Sequence, residues 1–166
     1  SFRAMHSGHV RLVGGPEMKD KIAYAFGAEF VEVRVNRFTH EIRAPRLVGV
    51  FAAGRIMNPR TARSQLMGGL IWGMSSALLE ATEIDERPAR YVNDNLADYL
   101  VPVNADVPGV EVILLSEQDD HINPAGAKGL GELANVGTNA AICNAIYHAT
   151  GQRIRKLPVR LENIEV

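Results

Sequence analysis

The stretch Asn58-Pro-Arg-Thr-Ala-Arg-Ser-Gln65-Leu-Met-Gly68-Gly69-Leu-Ile-Trp72-Gly73-Met-Ser-Ser76-Ala77 decides how the layers of this chain are built. Asparagine is a favoured helix N-cap, and proline is best tolerated at the first helical position, where no backbone donor is missed. Ala62, Leu66, Leu70, Gly73, Ala77 and Ala81 then recur at helical spacing and predict one long helix with a buried stripe. Gly68, Gly69 and Gly73 oppose it, each costing about 1 kcal/mol against alanine in a helix interior. Something must come close to that backbone.

Toward the N-terminus, from Glu29, Val31, Val33 and Val35 alternate with Glu32 and Arg34, the pattern of a half-buried strand. A second run, 42–51, follows after 36–41 and suggests a hairpin. Pro45 removes a donor and pushes that end of the second strand to an edge or a bulge. Toward the C-terminus, 85–109 carries Pro88, Pro102 and Pro108 with several Asn and Asp, and reads as irregular. Connections longer than about 12–15 residues are uncommon in compact domains and belong to functional loops or to surfaces that meet a partner. A third strand is expected over 110–115, a polar glycine-rich loop over 116–131, and a second helix over 136–150 ended by Gly151. Ala140, Cys143, Ile146 and Tyr147 give that helix a wide apolar surface. A short last strand is expected over 157–161. The fold class is therefore α+β, a two-layer sandwich whose mostly antiparallel or mixed sheet packs on two main helices. Residues 16–166 are expected to form a single domain, and 1–15 a flexible arm.

The chain has 166 residues, 46% hydrophobic and 22% charged, enough to bury a core of its own. Eighteen basic against nineteen acidic residues leave a net charge of -1, which supplies no basic field for nucleic acid or an anionic membrane. Cys143 is the single cysteine, so neither an internal disulfide nor a zinc set is available to it. A reducing cytoplasm fits, with export to the periplasm as part of a complex the alternative. No apolar run approaches the roughly 20 residues of a membrane helix. His6 and His9 spell H-x-x-H in the arm and read as solvated; His121 and His148 read as hydrogen-bonded structural residues.

The segment Gly126-Ala-Lys-Gly-Leu-Gly-Glu132 is the densest chemical signal. A Walker phosphate loop needs the order G-x-x-x-x-G-K-[ST], which is absent. Gly129, Gly131 and Ala134 spell G-x-G-x-x-A before a helix, but a dinucleotide fingerprint should follow a strand directly and have an acid about 20 residues on. The preceding strand ends near Leu115, and 133–161 holds no acid. Glu132 therefore stands alone in a nearly uncharged stretch. Desolvation would raise its pKa, while a helix N-terminus and nearby Lys128 would lower it, a balance that suits a general base. The competing reading places Glu132 in the first turn of a helix with no chemical role. Gln65, Gly68 or Gly69, Trp72 and Ser76 share a face on which a planar ligand could lie, unless the small residues serve only helix-on-helix packing.

In order, Phe51-Ala-Ala-Gly-Arg-Ile-Met-Asn-Pro59, Gln65-Leu-Met-Gly-Gly69 with Gly73, then Asn123-Pro124 and Gly126-Ala-Lys-Gly-Leu-Gly-Glu132 resemble the xanthine dehydrogenase and aldehyde oxidase family of molybdenum hydroxylases. The resemblance covers roughly 26–161. It corresponds to the C-terminal part of the second molybdopterin-binding domain of the large subunit, with bacterial aldehyde or isoquinoline oxidoreductases the nearest type. It implies a molybdenum-molybdopterin cofactor, Glu132 as the catalytic base, and Gln65, Lys128, Gly129, Leu130 and Gly131 as cofactor contacts, with no side chain on the metal. Ala52 stands where related sequences often have Asp or His, and His40 where the hairpin turn usually has Gly. Leu133-Ala-Asn135 replaces the Pro-Pro of the xanthine dehydrogenase branch, which favours an aldehyde or N-heterocycle over a purine. The implied partners are the remaining molybdopterin-binding domain and iron-sulfur and FAD subunits. A fragment of such a subunit is expected to be inactive alone and to self-associate; the alternative is a free-standing, non-catalytic binding or assembly module that keeps the fold.

Overall fold

The computed structural model describes residues 22–165. Its elements in chain order are β1 (Phe26–Val35), β2 (Ile42–Ala52), α1 (Pro59–Leu78), a two-residue pair β3 (Ile84–Asp85) and β4 (Arg90–Tyr91), β5 (Val110–Leu114) and α2 (Leu133–Thr150). The alternation around Val31 becomes β1, with Glu29, Val31, Val33 and Val35 half-buried and the residues between them exposed. β1 pairs antiparallel with β2 from Phe26↔Ala52 to Val35↔Ile42. The hairpin turn is closed by Asn36, whose Oδ1 accepts from the N–H groups of Phe38 (2.8 Å) and Thr39 (3.1 Å). His40 follows at φ 58, the left-handed conformation that glycine adopts most easily.

β2 is the central strand, because β5 pairs with its other side, parallel, from Leu47↔Val110 to Phe51↔Leu114. The sheet is therefore mixed. Pro45 lies not at an edge but at a bulge, where the register slips between Glu32 and Arg34 and the missing donor is tolerated.

Helix α1 starts as its N-cap predicts: Asn58 Oδ1 accepts from Arg60 N–H at 3.0 Å and Thr61 N–H at 3.3 Å. Leu47, Phe51, Leu66, Leu70, Met74, Val112, Ile142 and Ile146 are all buried between sheet and helices. Each such side chain contributes about 1.5–3 kcal/mol on leaving water. Two of the three glycines of α1 lie where α2 crosses it. A Cβ on Gly69 would stand 2.9 Å from the Cβ of Ala134, and one on Gly73 only 2.5 Å from that of Thr138. At Gly68 an added Cβ would meet nothing within 4 Å.

Three expectations need correction. No strand forms over 157–161: Pro158 has no donor, and the Val159 N–H is spent on the Ala77 carbonyl at the end of α1 (2.7 Å). A 3-10 turn, Leu161–Asn163, follows instead. Helix α2 begins at Leu133, three residues before the expected start, and ends as expected at Gly151, φ 76. Ala81 lies beyond α1, whose last turn closes through Leu79 and Glu80 N–H groups on the Ser75 carbonyl. Segment 85–109 is irregular, as expected, apart from Asp85 of β3, β4 and a 3-10 turn at Asn104–Asp106. Side chains tie down its approach: Asn93 bonds Ala81 O (2.6 Å) and Glu83 N (3.0 Å), and Tyr99 donates to Glu80 (2.8 Å). The arm assigned to 1–15, with His6 and His9, lies outside the described residues.

Candidate functional site

Beyond β2 the chain runs through Ala53 and Gly54 and meets the glycine-rich loop. Arg55 N–H donates to the Gly126 carbonyl at 2.7 Å and Lys128 N–H to the Ala53 carbonyl at 3.0 Å, a bridge that fixes the loop to the end of the sheet. Gly54 and Gly126 both have φ 65, and a Cβ on Gly54 would fall 2.3 Å from Gly126 O, so only glycine fits there. Beneath the bridge the Lys128 ammonium is 6% exposed, 2.5 Å from Glu117 Oε1 and 3.1 Å from Asp119 Oδ2. Glu117 Oε2 also accepts from Gly54 N–H at 2.6 Å. The lysine hydrogen bond holds both carboxyls below their ordinary values, helped at Glu117 by Gly54 N–H and at Asp119 by His121 N–H. Glu117 in turn pushes the lysine up, against its burial.

Gly129, Leu130, Gly131 and Glu132 form the outer rim. Among the described residues no acceptor meets the N–H of any of these four. Gly129 and Gly131 are exposed, with nothing within 4 Å of an added Cβ. Leu130, half-buried, packs against the core and pins the middle of the rim. Gln65, exposed on α1, donates from Nε2 to the Gly131 carbonyl at 2.7 Å. Gly68, one turn further on, shares the Gln65 face. One amide side chain, a row of unspent backbone donors and three glycines without Cβ atoms therefore border one open surface. Such a row suits an anionic, heteroatom-rich group, and the open glycines leave space for a flat one.

The structure brings Gln65, Gly129, Leu130, Gly131 and Glu132 together and turns Lys128 away, into its own ion cluster. Lys128 is not the neighbour of Glu132 that charge alone suggested. Glu132 is exposed at the N-cap of α2, without a side-chain capping bond. The shared face also divides. Ser76 bonds Asn139 (2.9 Å) in the helix interface, as Gly69 and Gly73 pack there, whereas Gln65, Gly68 and Trp72 stay exposed. His121 and His148 are exposed, and among the described residues neither imidazole makes a hydrogen bond; His121 bonds only through its backbone, to Asp119. Glu117 and Asp119 escaped sequence reasoning. Their signal was an acidic loop, 117–120, followed by one lysine and no other nearby cation. A 740 Å³ cavity lies elsewhere, lined by Met74, Leu78, Pro45 and Leu100. Its α1 lining, from Met74 to Leu78, sits about 13–20 Å along the helix from Gln65.

The chain has counterparts among known proteins. Residues 7–108 match the family model described as a molybdopterin cofactor-binding domain. The aldehyde oxidoreductase molybdenum-binding subunit of Escherichia coli is 48% identical over 84% of this chain and 19% of its own length. The putative xanthine dehydrogenase molybdenum-binding subunit of Escherichia coli is 36% identical over 81% of this chain and 18% of its own length. The crystal structure of the aldehyde oxidoreductase from Desulfovibrio desulfuricans superposes with a TM-score of 0.74 at 31% identity, covering 84% of this chain and 15% of that one. The chain belongs to the molybdopterin cofactor-binding domain family of the aldehyde oxidoreductase and xanthine dehydrogenase group, whose complete enzymes carry molybdenum-molybdopterin. It spans about a fifth of the length of these curated relatives, 19% of one and 18% of the other.

Proposed function

We propose that this chain supplies half of a molybdopterin site in a molybdenum hydroxylase, with Glu132 as the catalytic base and the Gln65–Gly131 contact marking where the cofactor lies. The observation that carries this reading is the 2.7 Å bond from Gln65 to Gly131, which joins the helix and loop halves into one surface. When bound, the molybdenum cofactor supplies the redox chemistry of hydroxylation. The N–H groups of Gly129, Leu130 and Gly131 and the amide of Gln65 would hold the pterin, and Gly68 would give it room. A Glu132 carboxylate oxygen would serve as the proton acceptor of that chemistry. Exposed here, the carboxylate becomes useful as a base once the rest of the subunit closes over it, since water competes for its lone pairs while it is open.

The relatives' names and Leu133-Ala-Asn135 favour an aldehyde or N-heterocycle as substrate. The same reading makes the chain inactive alone, and makes a second molybdopterin-binding domain with iron-sulfur and FAD subunits its working partners. In the complete subunit, Glu132→Ala should lower turnover by about 10²- to 10⁴-fold, the usual contribution of a general base, with molybdenum and pterin content nearly unchanged. Retained turnover would remove Glu132 from the mechanism. The exposure of Glu132 is the observation that favours the second reading, a binding or assembly module without catalysis, and that same result would support it.

A further inference from the structure

We propose that Glu117, Asp119 and Lys128 are positioning residues that set the height and rigidity of the rim carrying Gly129 to Glu132. The inference rests on the proposed cofactor site and adds what holds that site in place. Glu117 is the common member. One oxygen takes the Gly54 N–H at the end of the β2 extension and the other takes Lys128 Nζ, so a single carboxylate spans the end of the sheet and the base of the loop. Asp119 takes a second proton of the same ammonium, and the bridge between Gly54 and Ala127 closes the ring through the backbone.

A buried lysine with only one carboxylate would leave donors without acceptors. Two carboxylates and near-complete burial make the arrangement stiff rather than merely attractive. Downstream, Leu130 against the core and Gln65 on the Gly131 carbonyl restrain the rim before α2 begins. With the lower tether cut, the rim would hinge about Leu130 and carry Glu132 and the free N–H row with it. A base or donor displaced by about 1 Å can lose about 10²-fold in rate, so the ion cluster acts on chemistry through geometry without touching the reacting atoms.

The test uses the complete subunit with Lys128→Met, Glu117→Gln, Lys128→Arg and Glu132→Gln. Hydrogen exchange is followed on peptides from 126–134 beside kcat, KM and pterin content. In Lys128→Met the hydrogen-bonded amides at the foot of the rim, Gly126 and Lys128, should exchange about 10- to 100-fold faster, the effect of losing one hydrogen bond to a charged group. Amides of β1, β2 and α1 should be unchanged, and kcat should fall while KM stays close to its starting value. Lys128→Arg, which keeps the charge, should recover most of both losses. Should Lys128→Met fail to fold, Glu117→Gln asks the same question, since its amide oxygen still accepts from Gly54 N–H while the NH2 that replaces the other oxygen no longer accepts from Lys128. Unchanged exchange, or a loosened rim with full kcat, would overturn the inference alone. Turnover surviving Glu132→Gln would overturn the site reading and this inference with it.

Discussion

Protonating Glu117 or Asp119 removes the partner that keeps Lys128 buried, so the loop base has a defined pH window. Both carboxyls lie below their ordinary values in the folded chain; their contribution is complete above the ordinary carboxylate pKa of about 4 and is lost as pH falls through the folded values. Lys128 is raised, so its contribution is complete below the ordinary lysine pKa of about 10.4 and is lost only as pH rises through a still higher value. The Gly54 amide resonance should therefore hold steady from about pH 5 to 9 and move below pH 4; movement near neutrality would contradict the assigned pairing. His40 offers a test of local strain. A left-handed non-glycine residue costs about 1–2 kcal/mol, partly offset by the flexibility glycine adds to the unfolded chain. His40→Gly should thus raise stability by about 0.5–1 kcal/mol in urea unfolding. That position was legible in the sequence as the place where a glycine was expected. The ion cluster was not, because a pairing across eleven residues of irregular loop follows no periodicity.

At the scale of elements, α1 separates two uses of glycine that its sequence could not distinguish. Gly73 faces Thr138 at a distance no Cβ can occupy, and overpacking of this kind costs about 1–3 kcal/mol, so Gly73→Ala should lower the unfolding midpoint. Gly68 faces open space, so Gly68→Ala should raise stability by up to about 1 kcal/mol through helix propensity. In the complete subunit the same Gly68→Ala change should lower pterin content if a flat group lies over that turn. Stability gained together with undiminished cofactor would show that the gap is idle. The capped start of α1, the β1–β2 hairpin and the glycine end of α2 were readable because caps, alternation and turns are local. The parallel pairing of β5 and the loss of the 157–161 strand depend on where distant backbone donors find acceptors, as the Val159 bond to Ala77 shows.

For the whole molecule, the face of the sheet turned from the helices carries Phe26, Phe30 and Ile113 at 56%, 60% and 40% exposure. A chain with this much apolar surface uncovered should self-associate when isolated, and light scattering should report a dimer or larger; a monomer at working concentration would contradict that. Among the described residues no helix is long and apolar enough to cross a membrane. The 740 Å³ cavity near Leu78 lies apart from the rim, which meets α1 at Gln65. The most direct measurement is therefore a crystal structure of the complete subunit with its molybdenum cofactor bound. The expected result is one pterin touching Gln65 and the Gly129–Gly131 backbone, with the Glu132 carboxylate facing the metal and Lys128 still paired beneath. A cofactor lodged away from this rim, with Glu132 in open solvent, would contradict the assignment.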